Sequence, residues 1–216
     1  MMESNIGPAL KSMAWLPLTP PAIQELLSLP CMEPIPKDRM DEVAEQLGWK
    51  SSDLVDCAER TRSGHVLWAS NYFASIGDPK STFVLTFANT YPEDADGSDD
   101  WVDLMQDWGE QPDWLFATAP TTAQCEAVFA EAVTVVTAEL GPPLRTARDS
   151  GHCLPTDPPY TIWRWNNHGL VVGHAPDNGP YGYLTMGVLA LHPWPDGELP
   201  EEEHDLARWI RDRIEL

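Results

Sequence analysis

Six histidines and four cysteines are the residues of this 216-residue sequence best suited to chemistry, and their spacing argues against a metal site. A helical zinc site sets two imidazoles four residues apart on one face, with further Cys or His completing the tetrahedron. No histidine here has another at that spacing, and His168, His174 and His192 stand in or beside turns and strand ends. Cys31, Cys57, Cys125 and Cys153 form no CxxC pair, which suits reduced, buried thiols in a cytoplasmic protein. Gly151-His152-Cys153 puts a thiol beside an imidazole. Adjacent residues in a loop rarely face one another, and a nucleophilic cysteine needs a base that the fold carries to it. No GxSxG and no glycine-rich phosphate loop is present. Trp163 and Trp165 could stack a sugar or a base, but on a half-buried strand they serve better as core. These residues predict no catalytic group, no metal and no cofactor.

The other chemistry in the chain is acidic. Tyr91 to Pro120 reads as an insert carrying Asp99, Asp100, Trp101, Asp103, Asp107, Trp108, Glu110, Asp113 and Trp114. A short helix capped by Asp99 or Asp100 would set Trp101, Leu104, Met105 and Trp108 on one side and Asp100, Asp103 and Asp107 on the other. Aromatic anchors rimmed by carboxylates match a basic protein partner, with the acids steering its approach and the rings filling its grooves. The competing reading has the tryptophans pinning the insert to the core while the acids face water. An EF-hand is absent, because the aspartates do not alternate around a central glycine. The whole chain carries a formal net charge of −21, so it repels nucleic acid and anionic membrane and attracts basic partners. Between Ser81 and Leu144 there are twelve Asp or Glu and no Lys or Arg, whereas a surface built only for solubility intersperses both signs.

Helices and antiparallel strands must position these groups. Residues 1 to 36 read as an N-terminal extension with one short helix, Thr19 to Leu29, capped by Thr19 and started by Pro20. A second helix spans about Asp38 to Leu47 and stops at Gly48. Ser52 to Arg60 reads as a third, and His65 to Ala74 with Thr82 to Asn89 as a strand pair. Thr121 to Leu140 is the clearest helix, with Cys125, Val128, Phe129, Ala132, Val133 and Val136 as its apolar stripe. Tyr160 to Leu191 reads as a three-stranded meander turning at Asn166-Asn167-His168-Gly169 and at Asp177-Asn178-Gly179. Its strands are Tyr160 to Trp165, a short Leu170 to Val172, and Tyr181 to Leu191, with Trp163 and Leu184 in the core. Glu201 to Leu216 is an amphipathic helix, acidic first and basic last. The expected class is α+β, antiparallel meanders packed with helices, in a single domain over 37–216. Its possible halves, 37–120 and 121–216, each run helix then meander. No apolar run approaches the roughly 18 residues of a membrane span, and no secretory signal is visible.

In size, acidity, tryptophan content and helix-then-meander pattern, Asp38 to Leu216 resembles the small immunity-type proteins encoded beside polymorphic toxins in actinobacteria. The resemblance implies a cytoplasmic, non-enzymatic protein that binds a toxin domain and occludes its active site. For a basic nuclease toxin, the acidic insert would stand in for the substrate's phosphates. No motif aligns residue by residue, so no functional residue is carried over. Two other classes remain open. A secretion-chaperone-like scaffold would show an exposed apolar groove and a homodimer. An enzyme on a small cationic substrate would show a deep pocket holding His152, His174 or Cys153.

Overall fold

Thr19 followed by two prolines starts the first helix, α1 (Pro20–Ser28), because the extended Thr19 leaves its hydroxyl free to accept from the Ala22 N–H at 3.4 Å. A 3₁₀ turn, Leu29–Cys31, follows it. Helix α2 (Met40–Leu47) ends at Gly48, whose φ of 70° is the left-handed conformation that glycine adopts without strain. Helix α3 (Thr122–Leu140) opens with a capping box: Thr121 and Gln124 each satisfy the other's backbone N–H. Helix α4 (Glu203–Ile214) has Glu203 and Asp205 in its first turn and Arg211 and Arg213 in its last, each sign against the opposite pole of the helix dipole. The computed structural model describes residues 10–36, 39–51, 58–69, 76–77, 80–92, 106–148, 158–176, 185–194 and 199–214. No helix among them is long and apolar enough to cross a membrane.

Among the described residues, ten strands form one antiparallel sheet. They are β1 (Leu10–Trp15), β2 (Lys50–Ser51), β3 (Glu59–Arg60), β4 (Val66–Ala69) and β5 (Phe83–Pro92), then β6 (Leu115–Thr118), β7 (Arg145–Ala147), β8 (Tyr160–Trp165), β9 (His168–Pro176) and β10 (Thr185–Pro193). The order across the sheet is β2-β3-β4-β5-β10-β9-β8-β7. Four strands that follow α2 and four that follow α3 thus meet at the β5–β10 seam, where Phe83 faces Leu191 and Thr90 faces Thr185. Beside the β4 pairing, the far end of β5 takes β1, and β1 takes β6 on its other edge. The fold is therefore α+β, with helices packed on antiparallel meanders.

Alternation along the strands divides the core in two. One face sends Leu85, Phe87, Trp163, Val172, Leu189 and Leu191 against α1, α2 and α3. The other sends Val84, Ile162, Val171, Val188 and Ala190 against Leu206 and Ile210 of α4. Each such fully buried aliphatic side chain contributes about 1.5–3 kcal/mol. Trp163 is 2% exposed, and its indole N–H donates to the Gly141 carbonyl at 3.0 Å, tying β8 to the end of α3. A third cluster, Ala14, Leu16, Val66, Tyr91, Trp108 and Trp114, lies under residues 106–116. One carboxylate sews the helical layer to the sheet. Glu25 of α1 accepts from the Trp49 indole N–H, from the backbone N–H groups of Arg62 (3.0 Å) and Ser63 (3.4 Å), and from the Ser63 hydroxyl (3.2 Å).

Several sequence expectations change. Residues 10–36 carry a strand as well as the expected helix: β1 is hydrogen-bonded on both edges and buries Leu10, Ser12, Met13 and Ala14. Glu59 and Arg60, read as the end of a helix, form β3; residues 52–57 of that reading lie outside the described residues. Strand β9 runs nine residues rather than three. His168 is its first residue, not a turn residue; Asn166 and Asn167 make the turn alone, Asn166 with φ 50°. Tyr181 to Leu184 also lie outside the described residues.

Candidate functional site

The acidic insert is held from its C-terminal end. Residues 106–110 are helical, and Trp108 and Trp114 pack on each other with ring centroids 4.6 Å apart. The Trp114 indole N–H donates to the Gly64 carbonyl at 3.1 Å, and Gln111 Oε1 accepts from Arg60 at 2.8 Å. Both rings are at most 5% exposed. The expectation that Trp108 and Trp114 are surface anchors is corrected: an indole sealed against Leu16, Val66 and Tyr91 cannot reach a partner's groove. Asp107, Glu110 and Asp113 are exposed, as the same expectation had them. Asp99, Asp100, Trp101 and Asp103 lie outside the described residues. The acidic span continues on α3, where Glu126, Glu131 and Glu139 are exposed along a helix with no Lys or Arg.

Of the described histidines, His65, His168 and His174 are buried, His192 is half-buried and His204 is exposed on α4. Tyr160 stacks on His174 with centroids 4.7 Å apart, and its hydroxyl is 3.2 Å from His174 Nε2. His192 Nδ1 lies 2.6 Å from Thr82 Oγ1, with the Trp209 ring edge-on beside it. Burial, then the charges of Arg213 and His168, push its pKa down to about 4. Burial and Arg164 lower His168 in the same sense. His65 falls to about 4, burial outweighing hydrogen bonds to Leu16, Pro17 and Ser63. The Cys125 thiol is pushed up to about 11 by burial and then by Glu126, so it stays protonated and unreactive at neutral pH. His152, Cys153 and Cys57 lie outside the described residues, and among those described no cluster of His, Cys, Asp and Glu could hold a metal ion.

One assembly escaped the reading of the sequence. Lys50, Arg60 and Arg62 line a single small pocket beneath residues 112–113. Arg60 and Arg62 sit near each other in sequence, but nothing there announces that β2 folds back to bring Lys50 beside them. The chain as a whole matches no known family model, no curated protein and no solved structure.

Proposed function

We propose that this chain is a non-enzymatic acidic binding protein, an immunity or inhibitor protein that occludes a basic toxin or nuclease-like partner. The observation that supports it is the run of exposed carboxylates between Ser81 and Leu144, a span with no Lys or Arg of its own, which meets cations from β2 and β3 at Asp113. Its six described carboxylates, Asp107, Glu110, Asp113, Glu126, Glu131 and Glu139, are all exposed, and none makes an ion pair among the described residues. A surface of one sign concentrates an oppositely charged partner and speeds its encounter. Acids serving only as solvated cover would be mixed with cations, as they are on α4, where Arg208, Arg211 and Arg213 stand among Glu203, Asp205 and Asp212. Burial of Trp108 and Trp114 gives the rings a different part: they fix the carboxylates on a rigid platform. Leu115, 47% exposed on the outermost strand β6, then offers the apolar contact beside them.

The test uses the basic C-terminal domain of a toxin encoded beside this chain. The two should form a stoichiometric complex whose association slows as salt rises. Changing Asp107 and Asp113 to Asn, and Glu110, Glu126, Glu131 and Glu139 to Gln, should barely move the melting temperature, because exposed acids contribute little to folding. The same changes should slow association at low salt by roughly tenfold or more. Unchanged association of that variant at low salt would sink the reading.

A further inference from the structure

In a chain of net charge −21, three cations converge on a pocket of about 270 Å³. Lys50 on β2 and Arg60 on β3 stand directly opposite each other across the strand pair, and Arg62 follows on the same segment. Like charges directly opposed destabilise a strand pair. Arg60 donates to Gln111 Oε1 at 2.8 Å and to the Pro112 carbonyl at 3.4 Å, both neutral. Among the described residues neither the Lys50 ammonium nor the Arg62 guanidinium has a hydrogen-bond or ion-pair partner. Gly48 lets one guanidinium in: a Cβ there would stand 2.9 Å from Arg62 Nε. Asp113 is the one acid in the lining, so three cations less one carboxylate leave a net +2. The carbonyl end of α2 at Gly48 can favour one of these cations, not three. Arg62 is shared with an adjoining cleft of about 490 Å³, walled by Pro21, Gln24, Glu25 and Leu47 of α1 and α2, where the Glu25 carboxylate is engaged by its own four donors.

We propose that the cationic pocket binds the phosphate of a small phosphomonoester whose organic part enters the adjoining cleft. A dianionic phosphate cancels the net +2, where a carboxylate would leave a positive charge uncompensated. Guanidinium forks pair with phosphate oxygens in a bidentate fashion, and Lys50 adds a point charge from the opposite strand. The site is a local exception to the chain's sign and is separate from the acidic face of α3.

Titration of the full chain followed by amide chemical shifts, at constant ionic strength, tests this with inorganic phosphate, phenyl phosphate and benzoate as probes. Saturable shifts should centre on residues 48–50 and 60–64. Phenyl phosphate should bind more tightly than inorganic phosphate, and roughly tenfold or more tightly than benzoate. Equal affinity for phenyl phosphate and inorganic phosphate would overturn the phosphomonoester and leave a free-phosphate site. Lys50→Gln with Arg62→Gln, both exposed and unpartnered, should weaken phenyl phosphate by roughly a hundredfold, about tenfold for each cation removed. Phenyl phosphate should also raise the melting temperature of the parent protein and not that of the double variant. Shifts that never saturate, a parent protein whose melting temperature ignores phenyl phosphate, or a double variant that binds as the parent does would each overturn the site.

Discussion

Replacing Glu25 by alanine removes one acceptor that four donors share: the Trp49 indole N–H, two backbone N–H groups of Arg62 and Ser63, and the Ser63 hydroxyl. A hydrogen bond to a charged group is worth about 1.5–3 kcal/mol, and a donor left unmade in the interior costs about 1–3 kcal/mol. Glu25 is only half-buried, so water can reach some of the orphaned donors, and the full sum is not lost. The expected destabilisation is about 2–3 kcal/mol for Glu25→Ala. Glu25→Gln keeps the shape and one acceptor oxygen but turns an amide NH₂ toward donors, so about 1–2 kcal/mol is expected. Urea unfolding followed by far-ultraviolet circular dichroism should show a lower midpoint with an unchanged slope. Hydrogen exchange should quicken at the Trp49 indole and at the Arg62 and Ser63 amides while the β5–β10 seam stays protected. A loss under about 0.5 kcal/mol for the alanine variant, with exchange at those three groups unaltered, would refute the clamp.

Two further predictions concern the core. Trp163→Ala should cost about 3–5 kcal/mol in denaturant melts, because the ring is almost fully buried and its N–H bond to Gly141 is lost with it; a loss below about 1 kcal/mol would contradict that placement. His65 titrates near 4 folded and near 6.5 unfolded, so the unfolded chain takes up the proton first as pH falls. Its contribution is fully present above about pH 6.5 and is lost, on the order of 3 kcal/mol, by about pH 4. His65→Gln should remove that part of the pH slope, and an unfolding free energy with the parent's slope would contradict it.

Where a local signal was strong, the sequence was enough to read the element. The Thr19-Pro20 start, the threonine cap before residue 122 and the Gly48 stop each settle a backbone choice within a few residues, and the helices they bound stand as read; the Asn166-Asn167 turn stands too, without His168 and Gly169. β1 was missed because it is covered on both faces, Leu10 and Met13 by one core cluster and Ala14 by another, so Leu-Lys-Ser-Met-Ala-Trp shows no alternation. β9 was cut short because Gly169, Gly173 and His174 are weak strand formers whose places are set by neighbours: a Cβ at Gly173 would sit 2.3 Å from the Tyr160 ring. The candidate site was half legible. Charge shows in the sequence, so the exposed acids were found. The amphipathic pattern around Trp108 could not say whether its apolar side met a partner or the chain's own core, and packing on Trp114 decided it. The Lys50–Arg60 juxtaposition depends on a two-residue strand pair, which no periodicity reveals.

The β5–β10 seam also governs what a ribosome releases. One edge of β5 is supplied early, by β4 over its first half and by β1 over its second. The opposite edge, from Phe83 to Thr90, waits for β10, whose first residue is Thr185. At roughly 5–20 residues per second, that side of an uncharged stretch, Phe-Val-Leu-Thr-Phe-Ala-Asn-Thr-Tyr, stays open for about 5–20 s on every nascent chain. Such a strand is a template for a neighbouring chain on the same messenger. Glu93-Asp94-Ala95-Asp96 leaves the exit tunnel directly after it, a block of like charge that repels its own copies. Whatever else those carboxylates meet in the finished molecule, they emerge at the moment when mutual repulsion between unfinished chains matters most.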